Sequence, residues 1–203
     1  MPAGLDRKTY KRVYRLLEKV TPLREDCGAL CGKLCCRPVR PETGIYLFPG
    51  EEAMLRGTEE WLEWTEQQAQ EYDFPPSWRG PVYFVRCHGH CPREKRPLQC
   101  RFFPLTAHYL PEGHLVLIWE TVALPYRCPL LGGRFPLEQA FIEAVAKAWE
   151  LLLQHPLIED LVRWDARARQ QAARRVVPLT PRPAKKAGGT APWQIVKVVR
   201  FAQ

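Results

Sequence analysis

All eight cysteines of this chain, Cys27, Cys31, Cys35, Cys36, Cys87, Cys91, Cys100 and Cys128, fall between positions 27 and 128. Inert thiols would be scattered along apolar faces, where free Cys behaves as a small hydrophobe. These instead cluster in segments rich in Gly, Pro and Arg: CGALCGKLCCRP, RCHGHCP, QCRFFP and RCPLLGG. Gly supplies unusual backbone angles and bare N–H groups beside sulfur, and Pro stiffens the loop. That combination suits a thiolate cage. Disulfides are disfavoured where thiols are kept reduced, so the expectation is a metal or cluster site ligated by these eight residues.

The spacing narrows the choice. Cys27, Cys31 and Cys35 recur every fourth residue, but Gly28 and Gly32 argue for a wound loop or frayed helix rather than a regular one. Cys-x3-Cys-x3-Cys-Cys is not the Cys-x2-Cys knuckle of zinc ribbons. It has one residue too many for the radical S-adenosylmethionine motif, and the chain is too short for the barrel of that chemistry. Eight thiolates make either two four-thiolate sites or one such site plus a second with an open position. Adjacent Cys35 and Cys36 point different ways, so they serve different centres or one stands behind the other. Lys33, Arg37, Arg86, Arg93, Lys95, Arg96, Arg101 and Arg127 flank the cysteines. Cations there lower thiol pKa and offset the negative charge of a thiolate-bound metal.

In order, the segments CGALCGKLCC, RCHGHCPREKRPLQCRFFP and RCPLLGG resemble the YkgJ-type cysteine-cluster proteins, described as zinc- or iron-chelating domains. The most specific stretch is Arg96-Pro97 followed by Cys100-Arg101-Phe102-Phe103-Pro104, and the resemblance spans residues 27–150. The opening has longer spacers than the family pattern, and Leu130 follows Cys128-Pro129 where that pattern has Gly. A better-understood branch looks like the flagellin lysine methylases, iron–sulfur proteins that use S-adenosylmethionine. The resemblance therefore implies a bound metal, with an iron–sulfur cluster preferred over zinc, and S-adenosylmethionine as a candidate second cofactor. Arg96 and Arg101 are candidates for holding a carboxylate or phosphate of a cofactor or substrate. The bland alternative is that they pair with cluster charge or an acid to fix the loop. His88 and His90 flank Gly89 and are either further ligands or solvated loop residues.

Charge is unevenly spread. The net charge is +8, yet residues 163–203 alone hold ten Lys and Arg against one acid, Asp165. A neutral cysteine-bearing body over 1–162 thus precedes a basic helix, a Pro/Ala/Lys/Gly linker and a strand-like tail over 163–203. The tail could hold nucleic acid by neutralising phosphate, although a solvated basic end is the favoured reading. The N-terminus is charged and lacks a hydrophobic leader, and the longest strongly apolar run, 115–119, is strand-sized. The expectation is a cytoplasmic protein with no membrane partner.

Periodicity gives an α+β fold: helices framing a small, mainly antiparallel sheet, with Cys-rich loops at the element ends. Residues 5–20 read as a helix with Tyr10, Val13, Leu17 and Val20 inward. Residues 44–48 read as a short strand. Residues 51–72 read as an acidic helix with Trp61, Leu62, Thr65, Ala69 and Tyr72 on one side. Residues 82–86 form a strand entering Cys87, and 105–110 with 114–121 form a hairpin. Helices follow at 137–154 and about 157–176. Residues 178–192 are a linker, and 193–201 have strand propensity. Trp61, Trp64 and Trp78 line either a pocket or, more commonly for such aromatics, a core.

No phosphate-binding GxxxxGK or GxGxxG loop is present, nor GxSxG or HExxH. Three activities fit the pattern. The first is a metal centre acting on a protein or peptide substrate. The second is a zinc-stabilised binding module whose basic tail meets nucleic acid or an acidic partner. The third is a metal- or redox-handling protein.

Overall fold

Asp6 starts the first helix, α1 (Arg7–Leu16), by accepting the amides of Lys8 at 2.7 Å and Thr9 at 3.0 Å. Two of the unpaired donors of a helix start are thereby satisfied. The computed structural model describes residues 5–37, 43–55, 60–88, 91–131, 135–175 and 194–199. After α1 come α2 (Gly28–Cys31), β1 (Ile45–Tyr46), α3 (Glu52–Leu55), β2 (Leu62–Gln68), β3 (Pro81–Cys87) and α4 (Leu98–Phe102). The chain continues through β4 (Leu105–Tyr109), β5 (Leu115–Trp119), α5 (Gln139–Leu152), α6 (Pro156–Arg175) and β6 (Ile195–Val198).

The fold is α+β, with two antiparallel three-stranded sheets where one small sheet was expected. The first has the order β1-β3-β2, and β2 pairs with β3 over seven residues from Leu62 opposite Cys87 to Gln68 opposite Pro81. The second has the order β4-β5-β6. The expected hairpin is there: β4 and β5 pair from Leu105 opposite Trp119 to Tyr109 opposite Leu115. All four residues from Leu115 to Ile118 are buried, as a strand covered on both faces requires.

The main core gathers Tyr10 and Val13 of α1, Leu98 and Phe102 of α4, Leu117 of β5, and the inward faces of α5 and α6. Phe141, Val145, Ala148 and Leu152 are buried along α5, as the helical spacing predicts. Pro156 stands at the first position of α6, where its missing N–H is harmless. That helix runs unbroken through position 163 and places Ile158, Val162 and Ala166 in the main core. The tail returns as well, since β6 pairs with β5 and Val199 is buried. The linker 178–192 lies outside the described residues.

One element differs outright. Residues 51–72 are not one helix: among the described residues, Glu52–Leu55 is α-helical, Leu62–Gln68 is strand β2 and Ala69–Glu71 is a 3-10 turn. The stripe of Trp61, Leu62, Thr65, Ala69 and Tyr72 matched helical spacing. Full-length pairing with β3 decides the conformation instead, and Trp and Thr are good strand formers. Glu63 of β2 meets Arg86 of β3 directly across that register. Gly44 lets the chain enter β1, since a Cβ there would meet Phe84 Cζ at 2.4 Å and the Val85 carbonyl oxygen at 2.6 Å.

Candidate metal centre

The cysteines arrive from elements of unequal rigidity. Cys87 is the last residue of β3, and Cys100 lies in the middle of α4. Cys27 precedes α2 and Cys31 ends it. Gly32 (φ 61°) and Lys33 (φ 59°) then reverse the chain into the 3-10 turn Leu34–Cys36. This replaces the single stripe that fourfold spacing would make on a regular helix. Cys91 precedes the 3-10 turn Arg93–Lys95, and Cys128 lies in the loop between β5 and α5.

Five of the thiols form one electrostatic group, and four of them, Cys36, Cys87, Cys91 and Cys100, lie in the field of Arg96. Cys35 Sγ and Cys36 Sγ are 3.8 Å apart. Cys91 acts on both Cys36 and Cys87, so Cys35, Cys36, Cys91 and Cys87 are electrostatic neighbours. Cys100 is charge-coupled to Cys87, Cys36 and Cys91. Hydrogen bonds from Cys35 and then Cys91 hold the Cys36 thiol below its usual range, and Arg96 and Lys33 add to this. Cys87 is lowered by its bond to Cys91, with Arg96 assisting. Their partners move the other way: bonding to Cys36 raises Cys35, and bonding to Cys36 and Cys87 raises Cys91. Cys100 has an exposed residue surface, yet the protein packed around it pushes its thiol up. Two of the five thiols are thus held down and three pushed up, as neighbouring sulfurs that share protons in one positive field behave.

The other three cysteines form a second group. Cys27 is charge-coupled to Cys128 and Cys31, and Cys128 to Cys31. Burial raises Cys27 and Cys128, and the amides of Leu130 and Leu131 pull Cys128 back. The groups communicate, because Cys27 also acts on Cys35 and on Arg96. Tyr126 lies in the field of both, coupled to Cys35, Cys128, Cys100 and Cys36. Among the described residues, no three His, Cys, Asp or Glu side chains are arranged as a closed ion site. The sulfurs stand as near pairs.

A buried donor tests whether a sulfur-ligated metal suits this group. Arg96 donates to Cys91, while its Nε is buried with no hydrogen-bond partner. An unsatisfied buried donor costs about 1–3 kcal/mol. A metal-bound thiolate or a cluster sulfide is an anionic acceptor of the kind that nitrogen lacks. The donor set fits.

Arg101 is committed to structure. Its guanidinium donates to the carbonyls of Arg96, at 2.7 Å, and Glu94. It also lies 4.6 Å over the Tyr14 ring, fixing the turn that presents Arg96. His88 Nε2 is 3.1 Å from Glu63 Oε2, beside Arg86. His90 lies outside the described residues. Trp61 and Trp64 pack in a small core with Leu47, Leu55, Leu62 and Val85, and Cys87 lies against it.

Glu51 was legible only as one acid of a supposed helix face. It is fully buried. Its Oε1 accepts the Leu98 amide at 2.7 Å and the Tyr14 hydroxyl at 2.8 Å, and its Oε2 accepts the Phe48 amide at 3.0 Å. Burial pushes its carboxyl up, against the pull of these three donors and Arg101. Leu98 opens α4, so Glu51 sets where Cys100 stands. No local sequence signal marks it, since burial of an acid depends on donors distant in the chain.

No helix among the described residues is long and apolar enough to cross a membrane. Comparison of the chain with family models, with curated proteins and with solved structures finds no match.

Proposed function

We propose that this chain is a metalloprotein whose cysteine loops hold an iron–sulfur cluster, and that it belongs with the YkgJ-type cysteine-cluster proteins it resembles. The observation that carries the reading is the convergence of four thiols, Cys36, Cys87, Cys91 and Cys100, from three separate stretches of chain, on Arg96 with its unpartnered Nε. Cys36, Cys87, Cys91 and Cys100 would hold the cluster, with Cys35 beside it. Five thiols are one more than a tetrahedral zinc site uses, and a cluster's sulfides would accept the Arg96 donor. Cys27, Cys31 and Cys128, which act on one another through charge, would form a second, three-thiol centre whose fourth ligand is exchangeable. Such centres supply electron transfer or Lewis-acid activation. The reading carries with it a reducing cytoplasmic compartment, which keeps eight thiols available, and a protein or peptide as the molecule acted on.

The test is anaerobic purification of the full chain, with metal and acid-labile sulfide analysis and an absorption spectrum on one sample. Visible charge-transfer absorption with iron and sulfide is the expected result. Assays with S-adenosylmethionine and peptides follow from it. Stoichiometric zinc without colour would replace the cluster with a structural zinc site. A sample with neither metal overturns the proposal.

A further inference from the structure

Helix α1 divides its residues into two faces. Tyr10 and Val13 are fully buried in the main core, and the helix packs on α5 and α3. Its five cations, Arg7, Lys8, Lys11, Arg12 and Arg15, are all exposed, and it contains no acid. At about 100° per residue these cations fall within an arc of ~140°, opposite the buried face.

None of the five makes an ion pair among the described residues, whereas Arg24, Lys33, Arg86, Arg163 and Arg169 each face a carboxylate. The acids around α1 are committed elsewhere or stand off. Asp6 caps the helix, taking the amides of Lys8 and Thr9 and the Thr9 hydroxyl at 2.9 Å. Glu51 and Glu52 act on Tyr10, on the buried side. Glu18 and Glu94 share a shallow cleft with Lys11 and Arg15 without pairing with either. Like charges three or four residues apart repel by about 0.2–0.5 kcal/mol per pair. The rows Arg7-Lys11-Arg15 and Lys8-Arg12 carry that repulsion with no acid between them, and a polyanion laid along them removes it.

The kind of polyanion follows from what the face lacks. A protein partner is fixed by apolar or aromatic anchors, and exposed ion pairs alone contribute little. The apolar residues Tyr10 and Val13 are turned into the core, so no such anchor is offered. A membrane-surface helix needs the same apolar face free to enter lipid. Phosphate backbones need neither, because released counterions supply the affinity. Single strands are held by stacking on open rings. Tyr14, beside the cation arc, has its ring covered by Arg101 at 4.6 Å. A duplex, whose bases are already stacked, needs no ring.

We infer that the exposed face of α1 docks on the phosphate backbone of a nucleic-acid duplex, held by Arg7, Lys8, Lys11, Arg12 and Arg15 without reading its sequence. The surface is separate from the basic C-terminal segment and does not rest on the thiol reading.

The test is fluorescence anisotropy of labelled duplexes of about 20 base pairs with the full chain, at salt from about 50 to 200 mM. Five phosphate contacts give a log–log slope of about −4 to −5, so affinity should fall about 500-fold across that range. A DNA and an RNA duplex are both titrated, and the tighter one names the source of the phosphates. Lys8→Gln with Lys11→Gln and Arg12→Gln should bring the slope to about −2 and the salt effect to about tenfold. Gln is a comparable helix former, and a circular dichroism melt checks that the fold is kept. Arg182→Gln with Lys185→Gln and Lys186→Gln, in the C-terminal segment, should change the slope less. An equal or larger change there would move the contact off α1 and overturn the inference. Tighter binding of a single strand would refute the duplex, and equal competition by polyglutamate would point instead to an acidic protein. No binding at the lowest salt would remove the site.

Discussion

Replacing Glu51 by Ala removes the acceptor of three donors while leaving the donors in place. The Leu98 and Phe48 amides are buried, at 2.7 Å and 3.0 Å from the carboxylate, and the Tyr14 hydroxyl is at 2.8 Å. Each buried donor left without a partner costs about 1–3 kcal/mol. The two amides cannot move without unwinding the start of α4 or the turn at Phe48. Tyr14 is half-buried and can find another acceptor. Two full penalties and part of a third give about 3–5 kcal/mol for Glu51→Ala, a large share of the stability of a domain this size. Glu51→Gln keeps one acceptor oxygen, which can serve Leu98 and Tyr14 together. Its amide group then faces the Phe48 N–H, donor against donor, while the cost of burying a charge disappears. The net for Gln is about 1–2 kcal/mol. Urea unfolding of the full-length wild type, Gln and Ala chains at neutral pH measures both differences. The order wild type, Gln, Ala is required. An Ala variant within 1 kcal/mol of wild type would mean that other acceptors replace the carboxylate, and the account of α4 placement would fail. Gln as damaging as Ala would show that charge, not acceptance, is what matters.

His108 is fully buried in β4, and burial, with Arg169 adding to it, pushes its imidazole down to about 4. A group depressed on folding contributes stability that is present above its unfolded pKa of ~6.5 and lost as pH falls towards 4. About 3 kcal/mol should therefore disappear across that window. Denaturant melts at stepped pH should show a shallower acid slope for His108→Leu; an unchanged slope would reject the assignment. Arg96→Gln removes the cation beside four of the sulfurs and should weaken metal retention about tenfold in a chelator competition, as loss of a ligand-supporting group does. Arg96→Lys restores charge without the planar fork and should fall between the two; retention equal to wild type in the Gln variant would exclude Arg96 from the centre. Gly44→Ala forces a methyl against Phe84 and the Val85 carbonyl and should cost about 1–3 kcal/mol, read as a lower urea midpoint at unchanged slope.

What could be read from the sequence was what neighbouring residues decide. Helix α5 and the start of α6 were legible because apolar residues recur at helical spacing and His155-Pro156 punctuates them. The hairpin was legible because Pro111-Glu112-Gly113 separates two alternating runs. The grouping of thiols followed from the clustering of eight cysteines beside Gly, Pro and Arg. Strand β2 was not legible. Leu62, Thr65 and Ala69 happen to fit a helix, and only a partner strand far along the chain shows otherwise. Glu51 shares that character. Its donors come from Tyr14, Phe48 and Leu98. Its role is a property of tertiary placement, with no local pattern to announce it.

The thiol group has one rigid side and one that burial does not explain. Cys87 ends a seven-residue strand, and Cys100 is carried by α4 between Leu98 and Phe102, which are 0% and 2% exposed. Of residues 23–37, only Gly28 and Cys36 are buried, and Leu30 is 49% exposed. Hydrophobic burial cannot hold such a segment against the entropy of ordering it, about 1–2 kcal/mol per residue. Metal–thiolate bonds can, and their free energy then becomes folding free energy for this part of the chain alone. Stripping metal under reducing conditions should therefore speed hydrogen exchange and tryptic cleavage within 23–37, at Arg24, Lys33 and Arg37, before the core strands β4 and β5 respond. Exchange that rises equally in β5 would mean that the centre supports the whole fold. Exchange that rises nowhere would mean that the loop is ordered by contacts other than metal, and the eight cysteines would lose their structural purpose.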